Sequence, residues 1–324
     1  MRPVQSRRYS INNQAELTVI MVSYNTRELT LKALQTLLET TGDMAIEVIL
    51  WDNASQDGSA DAVAAKFPDV ILVRSEENLG FAAANNAAAR LANGEWLLLL
   101  NPDTETHDRA IQNLLSFGKA QPRAGIVGGR TVFADGSLNI ASCWNRMTVW
   151  SLFCRATGLS RIFARSETFN PEAIGDWKRN SVREVDIVVG CFFLISKVLW
   201  DQLGGFREKY FMFGEEIDMC LRAGELGYRP MITPDAEIVH LVGASYNGNE
   251  ERVIKVLKGR VTLIRDHWSM LARVLGIALI KSWVAGQMLR NTSALAGRGT
   301  AQDKSADRKW KQVWARRGEW LAGY

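Results

Sequence analysis

The chain has 324 residues, 47 % of them hydrophobic and 23 % charged, which is ordinary for a globular protein with a sizeable core. The net charge of +4 hides an asymmetry, because residues 251–324 hold 15 Lys and Arg against 5 Asp and Glu, while the preceding 250 residues hold 24 against 30. The cysteine spacing excludes a zinc module and a disulfide scaffold, and no signal-peptide pattern is visible, so a cytoplasmic protein with four buried, reduced cysteines is expected.

The first hundred residues alternate between short apolar runs and stretches with apolar residues at helical spacing. Strands are predicted at 17–24, 46–51, 70–73 and 97–100, and helices at 26–39, up to Lys66 and from Ala82 to Leu91. Thr26 is expected to cap the first helix. This alternation with short links indicates βαβ units, so the predicted fold class is α/β, with a Rossmann-like, mostly parallel sheet flanked by helices.

Polar side chains follow each of these strands. They are Asn25, Asp52 with Asn53, Asn78, and Asp103. Right-handed crossovers bring such strand ends to one edge, where open α/β sheets bind ligands. Asp103 is a candidate ligand for a metal ion carrying a diphosphate; the alternative is that these residues form turns and helix caps. Neither GxGxxG nor GxxxxGK[ST] is present in the required context, which argues against NAD enzymes and P-loop NTPases.

The second half of the chain is less regular. Asp135-Gly136 is predicted to form a hairpin turn, residues 142–180 an irregular insertion, and residues 185–195 a strand. Glu215, Glu216 and Asp218 begin a predicted helix, either as helix-start acids or as a general base beside an apolar wall.

Of the three histidines in the sequence, one lies at a position where a metal ligand is plausible by its place in the fold. His240 ends a predicted short strand, where it is either a metal ligand or a structural histidine. No partners are evident for His107 and His267.

Seven short motifs, taken in order, resemble those of the family 2 glycosyltransferases, with the bacterial rhamnosyltransferase branch the most similar. The resemblance spans about residues 17–265. The motifs are Thr18 to Asn25, Asp52 to Ser59, Asn78 to Ala82, Asn101-Pro102-Asp103, Gly204-Gly205-Phe206, Glu215 to Asp218, and His240.

The resemblance implies a GT-A fold that uses a nucleotide sugar and a divalent metal, Mg²⁺ or Mn²⁺. It implies an N-terminal extension (1–16), a catalytic domain (17–250) and a helical, basic C-terminal segment (251–324). Glu216 matches the catalytic base, with Glu215 and Asp218 as alternatives, and Asp103 and His240 match metal ligands. The implied nucleotide-sugar pocket consists of Ser23, Tyr24, Asn25, Asp52, Asn53, Asn78, Gly80, Phe81 and Asn101.

Two positions depart from the family pattern. The DxD motif is Asn101-Pro102-Asp103, so a neutral amide replaces one carboxylate and weaker metal binding is expected. The usual Glu-Asp pair is Glu215-Glu216.

The expected reaction is an inverting, metal-dependent transfer of L-rhamnose from dTDP-rhamnose. The acceptor is a glycan or a polyprenyl-diphosphate-linked glycan in the synthesis of cell-surface polysaccharide such as O-antigen. The alternatives are another donor, such as UDP-galactose or UDP-glucose, a catalytically inactive nucleotide-sugar or glycan-binding module, and a nucleotidyltransferase.

The C-terminal segment carries an apolar stretch, residues 268–289, interrupted by Arg273 and Lys281. These charges argue against a transmembrane helix. The stretch is expected either to lie on an anionic membrane surface, at the inner face of the cell membrane, or to pack on the catalytic domain or a second copy in a homo-oligomer. Nucleic acid is not expected as a partner, because the catalytic part is acidic.

Overall fold

The computed structural model describes residues 15–241, 249–295 and 301–324; the expected extension 1–16 lies outside these ranges except for Ala15 and Glu16. The strands are β1 Leu17–Ser23, β2 Ile46–Asp52, β3 Ile71–Arg74, β4 Trp96–Leu100, β5 Thr104–Thr106, β6 Ile126–Val132, β7 Leu138–Asn139, β8 Cys143–Trp144, β9 Arg183–Glu184, β10 Ile187–Val188, β11 Phe192–Ser196 and β12 Met231–His240. The helices are α1 Arg27–Thr40, α2 Ser59–Lys66, α3 Gly80–Ala89, α4 Ala110–Ala120, α5 Val149–Thr157, α6 Leu159–Ile162, α7 Lys197–Leu203, α8 Glu215–Glu225, α9 Asn249–His267, α10 Met270–Leu295, α11 Ala301–Ala315 and α12 Arg317–Ala322.

The central sheet has the strand order β3-β2-β1-β4-β11-β6-β12-β5. The first four strands are parallel, β11 runs antiparallel to both of its neighbours, and β12 is parallel to β6. The expected α/β class with a mostly parallel sheet is therefore confirmed. The parallel half places the carboxyl ends of β1, β2 and β4 at one edge.

Strand β4 explains why the sheet is buried on both faces. Its side chains alternate between two hydrophobic clusters, with Leu98 and Leu100 in one and Leu97 and Leu99 in the other. All four are at most 2 % exposed. A continuous leucine run thus fills the layers above and below the sheet, as expected for a central strand covered by helices on both sides.

Three local expectations need correction. Residues 185–195 form two short strands rather than one, because β10 pairs with β8 in a separate small sheet and the chain turns at Gly190-Cys191 before β11. Thr26 precedes α1 but does not cap it, since its hydroxyl bonds with those of Ser23 and Thr30. The insertion 142–180 contains a regular helix, α5, which begins with a capping box.

The helices α9 to α12 form a third core together with α5. Leu152 of α5 packs there with residues such as Val261, Val284 and Trp320, all at most 2 % exposed. Glu172 links α5 to α9, because it accepts hydrogen bonds from Arg155 of α5 and Arg260 of α9. The described residues include one stretch, Met270–Arg290, that is long and apolar enough to cross a bilayer by length and composition alone.

Candidate active site

The loops after β1 and β2 are fastened to each other by side chains. The Asn25 amide donates to Ser55 Oγ (2.9 Å), and the Gln56 amide donates to Asn25 Oδ1 (2.7 Å). Asn25 itself has a φ of +52°, a left-handed conformation that asparagine tolerates better than most residues. Tyr24 beside it is half exposed. These loops thus present a fixed, partly aromatic surface at the end of β1.

Asp52 keeps one free acceptor at this edge. Its Oδ1 accepts from the Ser55 amide (3.0 Å), whereas the buried Oδ2 has no hydrogen-bond partner in the described part of the chain. The same holds for the indole Nε1 of Trp51. A buried acceptor without a partner is costly unless a ligand or water satisfies it. Asp52 can therefore accept a hydrogen bond from a ring N–H of a nucleobase.

Two asparagines hold the loop before α3. Asn53 donates to Asn78 Oδ1 (2.9 Å) and accepts from the Leu79 amide (2.9 Å), and Asn78 Oδ1 also accepts from the Gly80 amide. Ser23 is fully buried beneath them, with its hydroxyl bonded to Thr26 and Thr30. Of the predicted pocket residues, Ser23, Asn53 and Asn78 thus use these polar atoms to shape the loops.

Gly80 and Phe81 connect this edge to the loop before α8. The Phe81 amide donates to the Phe211 carbonyl (2.8 Å). Gly80 has a φ of +79°, and a Cβ there would lie 2.4 Å from the same carbonyl, so only glycine fits. A Cβ on Gly190 would lie 3.4 Å from the Phe81 ring and 3.9 Å from Cβ of Glu216. The loop before α3 and the start of helix α8 are therefore neighbours.

Asp103 and His240 meet where β4 and β12 end. Pairing of β5 with β12 sets His240 opposite Thr104, and the Leu241 amide donates to the Asp103 carbonyl (3.0 Å). Asp103 Oδ1 lies 3.5 Å from His240 Nε2, and the two residues are 4 % and 7 % exposed. Asp103 Oδ1 and His240 Nδ1 make no hydrogen bond within the described residues.

The Asp103–His240 pair fits a divalent cation, because a buried carboxylate oxygen and the imidazole Nε2 lie 3.5 Å apart and both are atom types that bind such ions. Burial lowers the pKa of His240, but Cys191 and Asp103 outweigh it and raise that pKa to about 10. Metal binding and protonation therefore compete at His240. The nearby Asn101 donates its amide to the Cys191 carbonyl (3.1 Å) and accepts from Thr104 Oγ1 through its own carbonyl.

Glu215 and Glu216 begin α8 after two left-handed residues, Phe213 and Gly214. Glu215 is 4 % exposed, and its Oε2 has no partner among the described residues. Burial and the adjacent Glu216 carboxylate raise the pKa of Glu215 well above its usual range. Glu216 is partly exposed and accepts from the Gly214 amide (3.2 Å), and its desolvated surroundings raise its pKa as well. The pair holds a proton more tightly than two isolated carboxylates would.

Asp218 has a different environment from the other two acids. It is fully buried and bonded to Arg207 (3.0 Å), Arg222 (2.7 Å) and His267 (2.9 Å). Burial raises its pKa, but His267 and the two arginines outweigh that effect and lower it. Asp218 thus holds the helix in place and is poorly suited to accept a proton.

The histidines expected to lack partners have them. His267 bonds Asp218, and His107 Nδ1 lies 3.1 Å from Glu237. Asp218, Asp266 and His267 are also close enough together to hold a metal ion. However, Arg207, Arg222 and Lys209 already neutralise these acids, so the group is an ion-pair network. Sequence reasoning missed this network because its members are far apart in the chain.

Known proteins resemble this chain in sequence and in fold. A family model described as glycosyl transferase family 2 matches residues 18–197, more than half of the chain. The N-acetylglucosaminyl-diphospho-decaprenol L-rhamnosyltransferase of Mycobacterium tuberculosis (strain CDC 1551 / Oshkosh) is 27 % identical over 217 residues, covering 63 % of this chain and 69 % of the relative. The O-antigen biosynthesis protein RfbC of Myxococcus xanthus is 27 % identical over 75 % of this chain but only 19 % of the relative.

Solved structures share the fold. A mannosyltransferase from Pyrobaculum calidifontis, PcManGT, in complex with GDP-Man and Mn²⁺, superposes with a TM-score of 0.56 at 21 % identity, covering 96 % of this chain and 87 % of its own. GalNAc-T7 with UDP, GalNAc and Mn²⁺ superposes with a TM-score of 0.55 at 14 % identity, covering 94 % and 55 %. The GT-A-like fold expected from the motifs is confirmed.

Proposed function

This chain belongs to the glycosyl transferase family 2, and from that premise we propose that it transfers L-rhamnose from dTDP-rhamnose, with inversion, to a hydroxyl of a polyprenyl-diphosphate-linked glycan. It is a glycosyltransferase of a rhamnosyltransferase-like branch. The Mycobacterium relative is named for L-rhamnose transfer to a decaprenyl-diphosphate-linked N-acetylglucosamine, and the Myxococcus relative for O-antigen synthesis. These names support cell-surface polysaccharide synthesis as the setting.

One observation carries the proposed reaction. Three buried carboxylate oxygens have no hydrogen-bond partner among the described residues. They belong to Asp52, Asp103 and Glu215. Each suits one part of a nucleotide-sugar reaction: a base N–H for Asp52, a metal ion for Asp103, and a shared proton for Glu215.

We assign the general base to Glu216. The residue is partly exposed, its pKa is raised, and its Cβ lies close to Gly190, which also adjoins the Phe81 ring. Glu216 takes the proton of the acceptor hydroxyl while that oxygen attacks the anomeric carbon from the face opposite the diphosphate. The bond from the anomeric carbon to the diphosphate oxygen breaks, and dTDP leaves with the electron pair.

Asp103 and His240 are the residues that would hold a divalent metal, Mg²⁺ or Mn²⁺. The Mn²⁺ bound in the two structures of the same fold supports this assignment. When bound, the ion supplies positive charge to the leaving diphosphate. The protein's own contribution is to bury the Asp103 oxygen so that it gains more from a cation than from water.

Donor binding is assigned to the loops at the ends of β1, β2 and β3. Asp52 accepts from the pyrimidine, and the exposed ring of Tyr24 offers an apolar face beside it. The fixed backbone at Asn25, Gly80 and Phe81 shapes the pocket. Asn101, next to the Asp103 turn, faces the same edge through its position after β4.

The test is a donor screen with the purified full chain. The chain is mixed with Mg²⁺ or Mn²⁺ and a synthetic polyprenyl-diphosphate N-acetylglucosamine, and nucleoside diphosphate release is followed for dTDP-rhamnose, UDP-galactose and UDP-glucose. Product NMR then gives the anomeric configuration. Glu216→Gln is the inactive variant, and Glu184→Gln, an exposed glutamate on β9, is the matched control.

Each outcome has a distinct meaning. Release from dTDP-rhamnose with an inverted product supports the proposal. Release from another donor keeps the reaction but overturns the rhamnose assignment. Tight binding of dTDP-rhamnose without turnover of any donor or acceptor favours a binding module, a candidate because Asn101 replaces a carboxylate.

We also assign the first half of α10 to an anionic membrane surface at the inner face of the cell membrane. Met270, Leu271 and Val274 are 74 %, 73 % and 62 % exposed on one side of this helix. The exposed Lys281 and Arg290 follow on the same helix, so apolar contact and attraction to anionic lipid act together. A chain that uses a lipid-linked acceptor needs such contact.

Vesicle co-sedimentation tests the membrane assignment. We expect the chain to bind vesicles containing phosphatidylglycerol, to bind phosphatidylcholine weakly, and to lose binding in the double variant Leu271→Asp, Val274→Asp. Val198→Asp, at another exposed apolar residue, is the control. Equal binding by all variants overturns the assignment, and concentration-dependent dimerisation that the double variant abolishes assigns the face to a second copy instead.

A further inference from the structure

The loop from Arg207 to Gly214 connects the two halves of the candidate site. It leads directly into Glu215 and Glu216, and its Phe211 carbonyl accepts from the Phe81 amide (2.8 Å). Phe213 has a φ of +71°, which a phenylalanine adopts only when its surroundings hold it there. The position of this loop therefore affects both the pair Glu215-Glu216 and the start of α3 at Phe81.

Contacts from the C-terminal segment hold the outer side of this loop. The Tyr324 hydroxyl donates to the Met212 carbonyl (2.6 Å), and the Tyr324 amide donates to Thr262 Oγ1 (2.8 Å). The Tyr324 ring packs edge-on against Tyr210, with centroids 6.1 Å apart and planes at 66°. Tyr324 thus bridges α9 and the loop, through its backbone amide and its side chain.

Helix α9 supports the same arrangement. A Cβ on Gly259 would lie 2.1 Å from the Phe213 carbonyl, so only glycine allows α9 to approach the left-handed residue this closely. Tyr210 donates its hydroxyl to Asp266 of α9 (2.9 Å). The fully buried Trp320 of α12, which donates to the Val313 carbonyl (2.9 Å), fixes the segment that carries Tyr324.

We propose that Tyr324 is a positioning residue for the transfer reaction, acting through its hydrogen bond to Met212 on the loop that presents Glu216 beside Phe81. The hydroxyl restricts the motion of the strained loop 207–214 before substrate binds. This inference rests on the proposed function for its kinetic consequence, but its structural consequence can be measured without any donor.

The experiment compares Tyr324→Phe with wild type and with Tyr228→Phe, which removes a hydroxyl elsewhere. Removing one hydrogen bond of this kind should lower kcat about 3- to 10-fold. The donor KM should change less than about 2-fold and the unfolding temperature should stay within about 2 °C, because the ring and its packing remain. The pH dependence of kcat should shift, since Glu216 is less firmly placed; Tyr228→Phe should match wild type in all of these.

Amide hydrogen exchange supplies the readout that needs no turnover. We expect faster exchange at Phe81 and Gly214 in Tyr324→Phe, because their acceptors, the Phe211 carbonyl and Glu216, become less fixed. Unchanged exchange at both amides, or a kcat equal to wild type in an active enzyme, overturns the proposal. A chain that turns over no donor contradicts the proposed function alone, and the exchange result then decides this inference by itself.

Discussion

Two regions of this molecule bury carboxylates in opposite ways. At the sheet edge, Asp52 and Glu215 each keep a buried oxygen without a hydrogen-bond partner among the described residues, and the buried Asp103 Oδ1 lies 3.5 Å from His240 Nε2. At the interface with the C-terminal helices, Asp218 has three partners of basic type and Glu172 has two arginines and a serine. Under the proposed function, the first group is available to a ligand, whereas the second group is occupied in holding the helices together.

The largest expected effect is the loss of kcat when Glu216, the proposed general base, is replaced. Glu216→Gln keeps the size and the Gly214 contact but cannot accept a proton, so kcat should fall about 10²–10⁴-fold, on the order of 3–5 kcal/mol. Initial rates of nucleoside diphosphate release measure it, with Glu184→Gln as control. A loss of less than about 10-fold would move the base to another residue.

Glu172→Gln should have the largest effect on the free energy of unfolding. Burial raises the pKa of Glu172, but Arg260 and Arg155 outweigh it and lower that pKa to about 2 from 4.5. The charged form therefore stabilises the fold above about pH 4.5, and this contribution is lost as pH falls towards 2. We expect a loss of about 3 kcal/mol in urea unfolding at pH 7. A variant as stable as wild type at pH 7 would show that the interface does not depend on this charge.

Asp52→Asn tests the sheet edge directly. The amide can still accept from the Ser55 amide but places a donor where the free acceptor was. If Oδ2 binds a nucleobase N–H, calorimetry should show dTDP binding weakened about 10- to 100-fold, as for loss of a charge-assisted hydrogen bond. Unchanged affinity, with Asp61→Asn as the exposed control, would remove Asp52 from the pocket.

The smallest expected effect is the change in unfolding temperature on Glu215→Gln, which should be opposite in sign to that of Glu172→Gln. Glu215 has a raised pKa in the folded chain, so stability falls as pH rises above its unfolded pKa of about 4.5. Glu215→Gln should therefore raise the unfolding temperature at pH 7, and the gain should disappear below pH 4.5. Glu172→Gln should move it in the opposite direction. A destabilising Glu215→Gln would mean that its partnerless oxygen is satisfied after all.

The polar residues at the sheet edge could be predicted from the sequence, because the pattern that indicates them lies within short stretches of the chain. Each buried strand and the polar residue that ends it are adjacent in the chain, and parallel pairing alone brings Asn25, Asp52 and Asp103 to one edge. The leucine run of β4 is long enough to indicate burial on both faces. Which of these polar atoms are used by neighbours was not visible from sequence, since Ser23 bonds Thr30 and Asn53 bonds Asn78, whereas Asp52 Oδ2 has no hydrogen-bond partner among the described residues.

The interface with the C-terminal helices could not be predicted in this way. Asp218 meets His267 across 49 positions, and Met212 meets Tyr324 across 112. The hydrophobic periodicity of the sequence does not predict such contacts, because they depend on how whole helices pack. The break at Gly190-Cys191 was missed for a related reason: an apolar run of eleven residues reads as one strand unless the partner of each half is known.

The distance between Met212 and Tyr324 along the chain has a consequence for biosynthesis. At about 5–20 residues per second, the ribosome needs roughly 6–22 s to make the residues that separate them. Strands β1 to β11 are made before that interval begins, β12 is made during it, and the loop before α8 lacks its contact with Tyr324 until the interval ends. The whole sheet is therefore made before the loop that leads into Glu215 and Glu216 can gain this contact.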